Sequence, residues 1–218
     1  MSKTLSEFML APDRSNLWSA RKRDLRCTAL RLRDGSLCLY SPVLGLGDLA
    51  RESLASLGDV SVLLAPNHYH HKGLAQYATA FPDAELICSN YARPRLEKQT
   101  GLSFGNLTRL AKLLPDVYQI VEPEGLKTGE VWLTYQTSTA CGWIVCDAFK
   151  GSSNKADDVA RRIELLKAFP TFGIKDKDTY SIWVEGMLAT KPPNTILPCH
   201  GSIVESENLA VDIKSLLA

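Results

Sequence analysis

The sequence predicts a protein of the α/β or α+β class, and two patterns carry this prediction. From Asp48 to Leu114, short apolar runs alternate with amphipathic segments, which is the order expected of a sheet packed against helices. Nearer the N-terminus, segments of alternating apolar and polar residues flank Asp34-Gly35 and predict an antiparallel hairpin. The sheet is therefore not expected to be purely parallel.

Each element follows from its own local pattern. Alternating or continuously apolar runs predict strands over 17–22, 27–32, 37–40, 60–65, 85–88, 131–135, 143–146 and 195–198. Amphipathic periodicity predicts helices over 48–57, 73–81, 91–99, 107–114, 155–168, 180–188 and 205–217. Asp48 is expected to cap the first helix, and Pro66 follows the apolar run that begins at Val60.

Length and organisation indicate a single domain. The chain has 218 residues, of which 45% are hydrophobic, so it is long enough to bury a sizeable core. It contains no internal repeat, low-complexity tract or Gly/Ser-rich linker that would mark a boundary. We therefore expect one domain over residues 1–218.

The charge balance argues against nucleic-acid and membrane partners. With 25 Lys+Arg against 24 Asp+Glu, the formal net charge is +1, so no global field attracts polyanions or an anionic bilayer. The basic residues of the hairpin are expected on its solvated face: Arg21, Lys22, Arg23, Arg26, Arg31 and Arg33. The apolar run from Val60 to Pro66 is far shorter than the roughly 18 residues that span a membrane.

The N-terminal residues and the cysteines favour a cytoplasmic protein. Residues 1–11 lack the apolar run and small-residue cleavage site of a secretory leader. Six cysteines occur without a CxxC pair, which predicts reduced and mostly buried thiols rather than a disulfide framework. The sequence leaves open a homo-oligomer, and the small-molecule substrate is unknown.

The four histidines lie directly after predicted strands. His68, His70 and His71 follow the strand 60–65, His200 follows the strand 195–198, and Asp147 ends the strand 143–146. Imidazole and carboxylate groups at three strand ends suit a divalent metal such as zinc, iron or manganese. The alternative is structural, with the first three histidines in a polar turn and the other two residues capping helices.

Three segments carry a resemblance to a known family. Residues 64–73 (L-A-P-N-H-Y-H-H-K-G) are similar to the strand and T-H-x-H-x-D-H-x-G motif of the metallo-β-lactamase superfamily. Residues 143–149 (W-I-V-C-D-A-F) resemble its strand ending in the metal-bridging aspartate, and residues 197–201 (L-P-C-H-G) its last ligand histidine. The resemblance implies a four-layer αβ/βα sandwich.

The register of the first motif decides which histidines occupy the family's metal-ligand positions. In the preferred register, Pro66 replaces the first motif histidine, His68 matches the second, His70 replaces the aspartate and His71 matches the third. A register shifted by two residues matches His68 and His70 to the first two histidines instead, and puts Lys72 and Gly73 in the aspartate and last-histidine positions.

Departures from the family pattern point to one metal position rather than two. Pro66 cannot bind a metal, and residues 131–142 contain no histidine where the family has a ligand histidine. The first metal position therefore keeps only His68 and the bridging Asp147, which the family's two metal positions have in common. The preferred register thus implies one divalent ion, with zinc favoured and iron or manganese as alternatives. Its implied ligands are His70, His71, Asp147 and His200.

The resemblance implies two alternative functions. One is a metal-dependent hydrolase with a mononuclear site, acting on a small ester, thioester or phosphodiester, in which His68 is the general base and Asp147 also serves catalysis. The other is a catalytically inactive, metal-free binding protein of the same fold. Cys146 and Cys199 each precede a proposed ligand, and strand alternation predicts that they point to the opposite face and pack in the core.

Overall fold

The computed structural model describes residues 3–11, 16–138, 140–152 and 159–217. The chain divides into two compact units, Met1–Pro115 and Asp116–Ala218. Each unit contains one six-stranded sheet together with helices, which confirms the predicted mixture of helix and sheet. The expectation of one domain over residues 1–218 stays a prediction.

The first unit combines an antiparallel meander with parallel strands. Its strands are β1 (Met9–Leu10), β2 (Leu17–Lys22), β3 (Leu25–Arg31), β4 (Leu37–Tyr40), β5 (Val60–Leu64) and β6 (Glu85–Ile87), and they neighbour one another in chain order. Strands β1 to β4 pair antiparallel, as the hairpin prediction required, and β4, β5 and β6 pair parallel. The helices are α1 (Asp48–Leu57), α2 (Leu74–Ala80), α3 (Arg93–Thr100) and α4 (Thr108–Leu113).

The core of this unit forms between one face of the sheet and the first helix. Ala29, Leu39 and Leu63 point from successive strands into a buried cluster that also contains Ala50 and Leu54 of α1. Burial of such apolar side chains contributes roughly 25 cal/mol per Å² removed from water.

Two sequence expectations for this unit are wrong. Asp48 does not cap α1, because Gly47 occupies the N-cap position and Asp48 lies in the first turn. Arg26 was expected on a solvated face, but it is fully buried, and its Nη1 donates a hydrogen bond to Ser19 Oγ at 2.7 Å. A long side chain with an apolar stem can be buried when its charged end finds a polar partner, and periodicity does not reveal such a partner.

The second unit is built on a mixed sheet with the strand order β11-β14-β13-β9-β8-β7. These strands are β7 (Tyr118–Val121), β8 (Trp132–Gln136), β9 (Cys141–Val145), β11 (Val159–Ala160), β13 (Thr195–Pro198) and β14 (Ile203–Glu205). A separate pair is formed by β10 (Phe149–Gly151) and β12 (Ile163–Leu165). The helices are α5 (Phe169–Phe172), α6 (Lys177–Thr190) and α7 (Leu209–Leu217).

The prediction of a helix over 155–168 is wrong for the part of this segment that the structure describes. Residues 155–158 lie outside the described residues, but Val159–Ala160 pairs with β14 and Ile163–Leu165 pairs with β10. The last predicted helix is also shorter than expected, because Ile203–Glu205 forms β14 and α7 begins at Leu209. In both cases hydrogen bonds to other strands override a local amphipathic pattern.

Tryptophans organise the core of the second unit. Trp132 and Trp143 are fully buried and stack with ring centroids 5.5 Å apart. Trp183 is partly buried and meets Trp132 edge-on at 5.3 Å, and Phe149 lies 5.8 Å from the same ring. Within the described residues, no helix combines the length and apolar character needed to cross a bilayer.

Candidate functional site

Asp147 and His200 meet at the ends of two neighbouring strands in the second unit. Strands β9 and β13 pair parallel with Val145 opposite Pro198, so both chains leave the sheet at the same edge. The His200 Nε2 atom lies 2.9 Å from Asp147 Oδ1. The side chain of Asp147 is 4% exposed and that of His200 is 17% exposed, so the pair is reached from solvent on the histidine side.

A glycine pair shapes the turn that carries His200. Gly201 has a φ of +76°, and a Cβ atom there would lie 2.1 Å from the carbonyl oxygen of Gly151 in β10. The amide of Gly151 donates to the carbonyl oxygen of His200 at 3.2 Å. The His200-Gly201 dipeptide of the sequence thus satisfies a left-handed backbone and a close backbone approach, which only glycine permits at low cost.

Glu130 is a buried carboxylate at this site that the sequence analysis did not identify. It is 2% exposed, and its Oε1 accepts hydrogen bonds from Trp132 Nε1 at 2.7 Å and from the backbone amides of Cys146 and Ala148 at 3.2 and 3.3 Å. Its Oε2 accepts the amide of Asp147 at 3.2 Å. The only available signal was an acidic residue directly before an apolar strand, which is also common in surface turns.

Burial and charge oppose these hydrogen bonds in setting the pKa of Glu130. Desolvation is the largest effect and the negative charge of Asp147 is the second, and together they raise the pKa to about 7. The donors from Trp132, Asp147 and Ala148 lower it, but by less. We therefore expect Glu130 to change its protonation near neutral pH.

Cys146 lies beside Asp147 rather than on the opposite face, so the orientation predicted for it is wrong. Ligand atoms of Cys146, Asp147 and Glu130 all lie within 4.8 Å of one another. The reason is that β9 ends at Val145, and strand alternation no longer applies to the bend that follows. Cys146 and Cys199 are both buried, as expected of core thiols, and burial raises the pKa of Cys146 well above its ordinary value.

The other cysteines agree with the sequence expectation. All six are free thiols, and only Cys141 is more than slightly exposed. The chain therefore folds without disulfide bonds.

In the first unit, a turn after β5 carries His68, His70 and His71. Asn67 Oδ1 accepts the amides of Tyr69 and His70 at 2.8 and 3.2 Å, which closes the turn. His70 Nδ1 lies 2.8 Å from Ser41 Oγ, a contact that orients the imidazole ring. The Nδ1 atom of His71 is buried and has no hydrogen-bond partner among the described residues.

His68 is held by a different set of contacts. Its side chain is buried, and its Nε2 lies 3.2 Å from Arg95 Nη1 of α3. A guanidinium only donates, so Nε2 accepts this hydrogen bond and the proton of the neutral ring resides on Nδ1. Arg95 also stacks over the ring of Tyr69 at 4.5 Å. The lone pair that a general base would use is therefore engaged by Arg95.

The predicted site residues come from both units. Asp147 and His200 are in direct contact within the second unit, and His68, His70 and His71 share one turn of the first unit. The four-ligand metal site itself stays a prediction, as do the catalytic roles of His68 and Asp147.

Comparison with known proteins identifies a relationship in structure but not in sequence. No protein-family model matches the chain, and no curated protein matches it in sequence. The DIM-1 metallo-β-lactamase exposed to ceftazidime aligns with a TM-score of 0.68 at 12% identity, over 99% of this chain and 98% of that one. A metallo-β-lactamase from Pontibacter korlensis aligns with a TM-score of 0.62 at 11% identity, over 97% and 99%.

The same architecture occurs in a flavodiiron core. A metal-soaked flavodiiron core from Synechocystis aligns with a TM-score of 0.62 at 13% identity, over 98% of this chain and 61% of that one. Identities of 11 to 13% establish a shared fold rather than a shared reaction. Element content and these alignments over nearly the whole chain confirm the fold that the three motifs implied: the protein has the metallo-β-lactamase fold.

Proposed function

We propose that this protein is a metal-dependent hydrolase with a mononuclear site. Its ligands are His70, His71, Asp147 and His200, and its substrate is a small ester, thioester or phosphodiester. Zinc is the favoured ion, with iron or manganese as alternatives, because the donors are imidazole nitrogens and a carboxylate.

The observation that carries this proposal is the contact between His200 and Asp147 at 2.9 Å. It joins two of the proposed donors at adjacent strand ends, where the sheet holds both side chains in place. The contact is also typical of a site in which a carboxylate and an imidazole converge on one ion.

The first unit offers donors that suit the same chemistry. A buried imidazole nitrogen without a hydrogen-bond partner is costly, and His71 Nδ1 is such an atom among the described residues. Coordination of a cation would satisfy it. His70 is already oriented through Ser41, as a ligand imidazole usually is through its second nitrogen.

A bound divalent ion would supply Lewis acidity and a water of lowered pKa. The protein's own residues orient the site and exclude bulk water from it, since Asp147 is buried. In this proposal His68 acts as general base once its Nε2 is released from Arg95, a release that an anionic substrate group binding the guanidinium would favour.

Metal content of the purified protein tests the proposal directly. Protein made without a His tag and supplemented with zinc or manganese should carry about one ion per chain, and a chelator should lower its melting temperature. A content below roughly a tenth of an equivalent, with no change in melting temperature, would refute it.

Three single variants test the ligand set and the register of the first motif. His71→Ala and His200→Ala should each abolish metal binding, whereas His68→Ala should leave it largely intact. The opposite result, with loss on His68→Ala and retention on His71→Ala, would establish the shifted register. Calorimetric titration with zinc provides the measurement.

The alternative is a metal-free binding protein of the same fold. The specific observation in its favour is that His200 and Asp147 already form a direct hydrogen bond, so each satisfies the other without an ion. Absence of bound metal, together with a well-folded protein, would favour this alternative.

A further inference from the structure

We propose that Glu130 is a positioning residue that holds Asp147 in the geometry needed for metal binding. The inference rests on the proposed function, because it assigns Asp147 to the metal site. It concerns a residue outside the proposed ligand set, which acts through the backbone of residues 146–148.

The hydrogen bonds of Glu130 tie both of its oxygens to the bend after β9. Glu130 accepts four hydrogen bonds: its Oε1 accepts from the indole of Trp132 and the amides of Cys146 and Ala148, and its Oε2 accepts from the amide of Asp147. Three of the four donors are therefore backbone amides of consecutive residues. Oxygens of Glu130 also lie within 4.8 Å of donor atoms of Asp147 and Cys146, so the carboxylate is close enough to act on the position of Asp147.

The three amides need Glu130 because they follow the end of a strand. At the end of β9 the Cys199 amide donates to the carbonyl oxygen of Val145, and residues 146–148 follow this point. Consecutive amides that point toward one anion form a nest, and the bound anion fixes their backbone conformation. Fixing the backbone at Asp147 fixes the direction of its side chain, which contacts His200.

The test compares Glu130→Gln with Val184→Ala in metal affinity. The glutamine amide group keeps one oxygen acceptor but presents an N–H donor to one of the converging amides, so the bend loses part of its restraint. Loss of an outer-shell partner typically weakens metal affinity by about 10- to 100-fold, and we expect Glu130→Gln to fall in that range. Val184 is buried in the same core on α6, and its truncation controls for general destabilisation.

Zinc affinity is measured by calorimetry, and melting temperature by scanning calorimetry on the same samples. Val184→Ala should lower the melting temperature and leave zinc affinity unchanged. Equal zinc affinities for Glu130→Gln and the wild type would overturn the inference. So would a loss of affinity in Val184→Ala that matches the loss in Glu130→Gln, since stability alone would then explain both.

Amide hydrogen exchange by NMR, in the metal-free protein, separates this inference from the proposed function. The amides of Cys146, Asp147 and Ala148 should be protected in the wild type and in Val184→Ala, and should exchange at least tenfold faster in Glu130→Gln. Unchanged exchange would overturn the positioning role even if the protein binds zinc. Faster exchange in a protein that binds no zinc would refute the proposed function while supporting the role of Glu130 in fixing the bend.

Discussion

Replacing Glu130 with glutamine removes a carboxyl group with a raised pKa. Burial and the charge of Asp147 together raise the pKa of this group from about 4.5 to about 7. Each pKa unit corresponds to about 1.4 kcal/mol of difference between the two protonation states. Ionisation of Glu130 in the folded protein therefore costs about 3 kcal/mol relative to the unfolded chain. Glutamine has nearly the same shape and does not ionise, so the variant lacks this cost.

The sign of the pH dependence follows from proton binding. Between about pH 4.5 and pH 7 the folded wild type retains a proton on Glu130 that the unfolded chain has lost. The wild type's free energy of unfolding should therefore fall as pH rises through this window, relative to that of Glu130→Gln, and the difference should level off above it. Carboxyl groups remote from Glu130 titrate in both proteins and cancel in the comparison, whereas Asp147, whose charge acts on Glu130, contributes to the measured difference.

Urea denaturation of both proteins at several pH values from 4 to 8, with a chelator present, measures this difference. We expect the free-energy difference between variant and wild type to shift by about 3 kcal/mol in favour of the variant over that range. A constant difference across the range would refute the reasoning, because it would mean that Glu130 ionises in the folded protein as easily as in the unfolded one.

Three further substitutions test the site and the two cores. Asp147→Ala should remove the metal-dependent hydrolysis of an ester, thioester and phosphodiester panel, which we expect to be weak; an equal residual rate in identically prepared wild type would indicate a contaminant. Gly142→Ala should lower the free energy of unfolding by about 1–3 kcal/mol, because its Cβ would lie 2.1 Å from the ring of Tyr135 on the paired strand; unchanged urea stability would contradict this packing. Arg26→Ala should cost more than about 2 kcal/mol, because it leaves a cavity and deprives Ser19 of its partner; a loss below about 0.5 kcal/mol would place Arg26 at the surface.

Local patterns were sufficient for most elements of the first unit. The alternating segments around Asp34-Gly35 form β2, β3 and β4, and the apolar run beginning at Val60 forms β5, and most apolar residues of these strands are buried. The same reasoning failed at 155–168. There the amphipathic pattern predicted a helix, but pairing with β10 and β14 produced strands.

The sequence by itself determined the class of fold and the order of its motifs, because these depend on residue periodicity and on the residue types that follow strands. It also determined that His200 and Asp147 follow different strands, but not that these strands are parallel neighbours. Only the tertiary structure decided that the two side chains meet, that Arg95 engages His68 and that Glu130 accepts the amide of Asp147. Each of these contacts joins residues more than fifteen positions apart, and the packing of the whole unit, rather than any local pattern, brings such residues together.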